Sequence, residues 1–162
     1  MNSNDEKLIK RCIAVAPVIF LLHFLEEVPG FVEWANSYVD QDISQGFFLS
    51  INFLVLGVTS VVAVIMWVSP SSLSASISTL WLSFIMLANG SLHVFAGILE
   101  RNYVPGLITA VLLYIPYYLL LMIQLVRKKF LSLGTAIVLT LMGSVPMFIQ
   151  GYRVLFLGTR LW

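Results

Sequence analysis

The sequence predicts an all-α, polytopic membrane helical bundle of about five transmembrane helices plus a short interfacial helix, and three observations carry that prediction. Of its 162 residues, 59% are hydrophobic and only 10% are charged, against about 25% charged in an ordinary soluble domain. Its mean hydropathy is +0.95. Five apolar runs recur, each near the roughly 20 residues needed to cross a hydrocarbon core about 30 Å thick. So little polar surface cannot clothe a soluble fold of this length, and residues 1–162 read as a single transmembrane domain.

The first span covers residues 9–28 and is preceded by the polar stretch MNSNDEKLIKRC. It closes on HFLEEVPG rather than on a small-residue cleavage site, which marks a retained span and not a signal peptide. Pro29-Gly30 stops it. Within residues 29–46, Phe31, Val32, Trp34, Ala35 and Tyr38 fall at helical spacing, which predicts a short amphipathic helix lying on the membrane surface. Spans at 47–68, 78–99, 104–126 and 130–157 follow. Pro105 fits the first turn of the fourth, while Pro116 and Pro146 lie inside spans and predict kinks. Trp34, Trp67, Tyr103 and Trp162 fit the aromatic belts of the two interfaces.

Basic residues set the expected orientation. Lys7, Lys10 and Arg11 precede the first span and Arg127, Lys128 and Lys129 follow the fourth, whereas the 29–46 loop carries Glu33, Asp40 and Asp42. The positive-inside rule then places the N-terminus in the cytoplasm and the C-terminus outside, in a cell or inner membrane. With a formal net charge of +1 and no basic patch suited to a phosphate backbone, nucleic acid is not an expected partner. Cys12 is the one cysteine, so neither an intrachain disulfide nor a thiolate metal cluster can form.

Ionisable residues inside spans are the chemical signal. On insertion scales an acidic residue at a helix centre costs about 2.5–3.5 kcal/mol, and such residues face partners in the bundle interior. His23, Glu26 and Glu27 fall together in HFLEE. A rise of about 1.5 Å per residue puts His23 roughly 21 Å and His93 roughly 22 Å from the inner boundary, so the two imidazoles share one level. Asn52 and Thr109 lie within about 10 Å of the outer boundary. Asn89, His93 and Glu100 share a stripe of the third span. The outer halves of the spans thus carry polar groups and the inner halves almost none, which predicts one chamber opening outward.

Two imidazoles and up to three carboxylates suit a divalent transition metal, zinc or iron. The expected ligands are His23, His93 and one or two of Glu26, Glu27 and Glu100. Glu26 is favoured over Glu27, which lies near the helix end within reach of interfacial water. Glu26, Glu27, Asn89 and Thr109 form the candidate catalytic set, although Thr109 has a plain reading as a hydroxyl bonded back to its own helix. The expected activity is that of a metal-dependent hydrolase or oxidoreductase acting on a membrane lipid or another hydrophobic small molecule. Two alternatives stay open: a metal-free acid/base lipid isomerase using Glu26 or Glu27, and a non-enzymatic carrier of a lipid, proton or cation. Against transport, the inner halves show no polar path, and five spans hold no inverted repeat unless a homo-oligomer supplies one.

HFLEE, the Pro-Gly break after it, Asn89 and His93, and then the Tyr103-Val-Pro-Gly-Leu-Ile-Thr109 stretch together resemble the HXXEE family of small integral membrane proteins. The signature falls on His23, Glu26 and Glu27. The resemblance covers most of the chain and implies a membrane-embedded protein, but it brings no activity with it. A five-span bundle with His, Glu, Asn and Thr around an apolar pocket is also similar to the sterol-isomerase (emopamil-binding) fold. That likeness implies acidic residues shuttling a proton on a lipid without metal, and it is an analogy of architecture alone.

Overall fold

The computed structural model describes residues 3–40 and 42–159, and among them all regular structure is helical. The chain runs through α1 (Asn4–Glu27), the short α2 (Phe31–Asn36), α3 (Gln45–Val68), α4 (Ser72–Glu100), α5 (Leu107–Arg127) and α6 (Leu133–Leu157). All but α2 are long and apolar enough to cross a bilayer, which makes this a multi-pass membrane protein. Trp162 lies outside the described residues.

Two helices begin earlier than hydropathy predicts. The first turns of α1 are polar but satisfied: Glu6 and Lys10 pair one turn apart at 2.7 Å, and Asp5 reaches Lys128, beyond the end of α5, at 2.6 Å. At the start of α4, Ser71 and Ser74 form a reciprocal capping box. Ser76, Ser78 and Thr79 then donate back to the carbonyls of Ser72, Ser74 and Ala75. Hydroxyls satisfied within their own helix lower the hydropathy average without ending the helix.

α4 is the central helix, packed against α3, α5 and α6, while α1 packs against α3 and α5. α3 and α6 do not pack along one another. Trp81 donates to Thr59 at 2.9 Å and ties α4 to α3. A Cβ on Gly143 would overlap the Ser83 hydroxyl and the Leu80 carbonyl, so the close approach of α4 and α6 at that point requires a position without a side chain. Large apolar residues such as Leu54, Val68 and Leu112 face outward, as they must where the solvent is lipid.

Two irregularities bear on the site. α4 opens into a π-helical stretch at Ser83–Ala88, just before Asn89, and α5 does so at Ala110–Tyr114, just before Pro116. Pro116 has no N–H to return to the preceding turn, which accounts for the wide turn in α5. Such turns rotate the face that follows and recur where a helix must aim particular side chains. α2, for its part, lies across the end of the bundle where α1 and α4 finish. Its Phe31 stacks on Phe48 of α3 with ring centroids 5.1 Å apart, and Ala35 is buried beneath it. Asn36 closes the following loop by a double hydrogen bond to the Ile43 backbone, at 3.0 and 2.7 Å.

Candidate functional site

His23 and Glu27 are one turn apart on α1, so both point to the bundle interior, and both are buried. His93, aimed by α4 beyond its π-helical stretch, is buried opposite them. A single oxygen, Glu27 Oε1, lies 3.4 Å from His23 Nε2 and 3.1 Å from His93 Nε2. Each of the three residues offers one ligating atom, and these atoms all fall within 4.8 Å of one another.

Glu26 points elsewhere, as a neighbour about 100° around the helix must. Its carboxylate meets the first turn of α5, accepting from the backbone N–H of Ile108 at 3.0 Å and of Thr109 at 2.7 Å. It also accepts from the Tyr103 hydroxyl at 2.9 Å and the Thr109 hydroxyl at 2.5 Å. A negative charge at a helix N-terminus is favourable in itself. Burial, reinforced by the bond to Glu26, raises the Tyr103 hydroxyl above its ordinary pKa and keeps it a donor.

The Thr109 hydroxyl has one hydrogen, and Glu26 takes it. At 2.8 Å from His23 Nδ1, the Thr109 oxygen therefore accepts from the ring, which fixes the proton of a neutral His23 on Nδ1. The Nε2 lone pair is then directed at the Glu27 carboxylate. That nitrogen is buried and, although within ion-pair distance of Glu27, has no hydrogen-bond partner. Two electron-rich atoms face each other 3.4 Å apart in a buried site, an arrangement that calls for a cation or a proton between them.

Gly106 closes the site from the α5 side. Its φ of +91° is in the left-handed region, and a Cβ there would come within 2.8 Å of Cε1 in both His23 and His93. Only glycine meets both conditions. The Tyr114 ring stacks on His23 with centroids 4.0 Å apart. His93 lies beneath Phe31 and Trp34 of α2, at centroid distances of 6.2 and 6.4 Å.

The sequence-predicted residues divide accordingly. His23, Glu27 and His93 converge. Glu26 and Thr109 bond to each other beside them, and the Thr109 hydroxyl contacts the Gly106 carbonyl only at 3.4 Å, so return to its own helix is its weakest interaction. Asn89 lies one turn from His93 in the wall of a cavity, its Oδ1 buried without a partner. Asn52 lines the same cavity but gives its N–H to the Phe48 carbonyl. Glu100 does not reach the histidines. Seven residues beyond His93, or about 10 Å of helical rise, it stands at the level of α2 and accepts from Trp34 Nε1 at 2.5 Å and from the Tyr38 hydroxyl. Burial beside that carboxylate pushes the Tyr38 hydroxyl up to about 12.

Gly106 and Tyr114 are the residues that the candidate set lacks. The signal for Gly106 was its place after Pro105 at a helix start; for Tyr114, one aromatic among many, there was none. The cavity itself measures about 230 Å³. His23, Glu27 and His93 form one wall, and most of the rest is apolar, including Phe20, Val55 and Phe84.

The family described as a protein of unknown function with HXXEE motif matches residues 14–121. No curated protein and no solved structure matches the chain.

Proposed function

Since this chain belongs to the HXXEE family, with His23, Glu26 and Glu27 as its motif, we propose that the motif builds a metal centre in a membrane enzyme. Its substrate is a lipid-like or hydrophobic small molecule held in the adjoining cavity. One observation carries this reading: three buried ligating atoms, from His23, Glu27 and His93, lie within 4.8 Å of one another, and one of them, His23 Nε2, is unpartnered.

His23, Glu27 and His93 are the ligands. Two imidazoles and one carboxylate suit zinc or non-haem iron and leave coordination positions open to a reactant. Zinc held in this way lowers the pKa of water to about 7 and supplies hydrolysis, whereas iron supplies oxidation. The protein's own groups orient and exclude. Thr109 and Glu26 hold the His23 ring and its Nδ1 proton, Gly106 lets the α5 backbone lie on both imidazoles, and α2 covers His93. Glu26 accepts four hydrogen bonds, which suits it to positioning rather than to receiving a substrate proton. Asn89, with a buried oxygen lacking a partner in the cavity wall, is the residue assigned to the substrate's polar group. The basic residues at 7, 10, 11 and 127–129 support a site in the outer half of the membrane.

Elemental analysis of purified protein tests the reading, beside a His23→Ala/His93→Ala variant. The expected result is about one zinc or iron per chain, lost in the variant. Folded wild-type protein without metal sinks the metal reading and turns attention to a proton between Glu27 and His23, the arrangement an acid/base isomerase needs. Uphill cation flux into proteoliposomes would replace the enzyme with a carrier.

A further inference from the structure

The cavity has its chemistry at one end only. His23, Glu27 and His93 stand beneath α2, and the space continues into the bundle past Asn89 to Phe84 on α4. Phe84 is nine residues before His93, so the floor is about 13 Å deeper by helical rise. Val55 of α3 and Met147 of α6 line the middle of the cavity, each ten residues from the end of its helix nearest α2 and so close to the level of Asn89. The lining runs from α2 to Phe84 yet holds only about 230 Å³, below the roughly 300–1,000 Å³ of ordinary ligand pockets, so this tube has room for one hydrocarbon chain rather than two.

The tube also has a side. α3 and α6 both form its wall, yet they do not pack along one another, because each packs on α4 instead. The seam between them faces the hydrocarbon of the bilayer. The end toward α2 is covered by Phe31 and Trp34, and Glu100 bonds Trp34 and Tyr38 to hold that cover down. A molecule already dissolved in the membrane therefore has a shorter route in than one arriving from water.

We propose that the ligand is a single-chain acyl amphiphile that enters sideways between α3 and α6. Its chain lies in the tube over Val55, Phe84 and Met147, and its polar head reaches His23, Glu27 and His93. Asn89, one turn below His93, bonds the polar atoms next to the head. The placement of the head rests on the proposed metal centre; the placement of the chain rests on the shape and lining of the cavity alone.

Palmitic acid carrying a mid-chain diazirine, photolysed with the full chain in phosphatidylcholine vesicles, tests this. Labelled residues are located by mass spectrometry. The expected sites are Val55, Phe84 or Met147, with labelling reduced at least tenfold by excess unlabelled palmitic acid and by a Val55→Trp/Met147→Trp variant that fills the tube. Label confined to outward residues such as Leu112, or label in the tube that excess palmitic acid does not displace, overturns the proposal. The competition experiment uses the wild-type chain, so the result stands even if the double variant does not fold. Metal content read on the same sample separates the two readings: metal-free protein labelled in the tube refutes only the metal centre, and metal-loaded protein labelled only on its outer faces refutes only the acyl site.

Discussion

Thr109 accepts a hydrogen bond from His23 Nδ1 at 2.8 Å while giving its own hydrogen to Glu26 at 2.5 Å, so one hydroxyl decides which nitrogen of His23 faces the cluster. Partners of this kind around a metal-ligating histidine change metal affinity by about 10–100-fold when removed. Thr109→Val keeps the shape and deletes the relay. It is predicted to weaken zinc binding by about that factor, measured by competition with a chelator, and Thr109→Ser is predicted to restore it. Equal zinc affinity in the valine and serine variants would show that the hydroxyl has only a packing role.

The neighbouring carboxylates of the motif are predicted to fail differently. Glu27→Gln removes the one anionic oxygen shared by both imidazoles, and metal content should drop below about a tenth of wild type, because two neutral imidazoles leave a buried divalent charge unbalanced. Glu26→Gln leaves His23, Glu27 and His93 in place but weakens the bonds to the first turn of α5. Hydrogen bonds to a charged group are worth about 1.5–3 kcal/mol, so its main effect should be a lower unfolding temperature with most of the metal retained. Equal metal loss in both variants would show that Glu26 acts on the metal and not only on the first turn of α5.

Depth arithmetic explains why this distinction escapes a reading of the sequence. Rise per residue fixes height, and height correctly puts His23 and His93 on one level. Azimuth depends on which neighbour each helix face meets, and adjacent residues differ by about 100°, so Glu26 and Glu27 look equivalent until α5 and α4 are packed around α1. Glu100 is the converse case. It shares a face with His93, but its height carries it up to α2. The π-helical turns at Ser83–Ala88 and Ala110–Tyr114 add a rotation that regular periodicity cannot express. Hydropathy, by contrast, locates all five spans, because the bilayer imposes length and apolarity on each one separately.

Gly106→Ala is predicted to damage the site and the fold together. A left-handed φ costs a residue with a Cβ about 1–2 kcal/mol, and the added methyl would overlap both imidazole rings. The expected outcome is a lower unfolding temperature together with metal loss. Gly46→Ala is the matched control, since a Cβ there meets nothing within 4 Å; in a helix it should be neutral or stabilise by up to about 1 kcal/mol. Were the two variants equally stable and equally metal-loaded, the close approach of the α5 backbone to the histidines would have no consequence.

The attachment of α2 is predicted to depend on pH only in the alkaline range. Tyr38 donates to Glu100 as a neutral phenol, and its pKa is pushed from 10.0 to about 12. A pKa raised in the folded state means that the folded form holds its proton more tightly. The stabilisation is therefore fully present below the unfolded value of about 10, declines as pH rises past it, and is lost on passing through about 12. Docking of α2, followed by the protease sensitivity of residues 31–40, should stay constant from neutral pH to about 10 and loosen between about 10 and 12. Tyr38→Phe should abolish that step while leaving the Trp34 bond to Glu100 in place, so α2 stays docked but more weakly. Loosening that begins near pH 7, or an alkaline step that persists in Tyr38→Phe, would mean that a group other than Tyr38 holds α2 over the site.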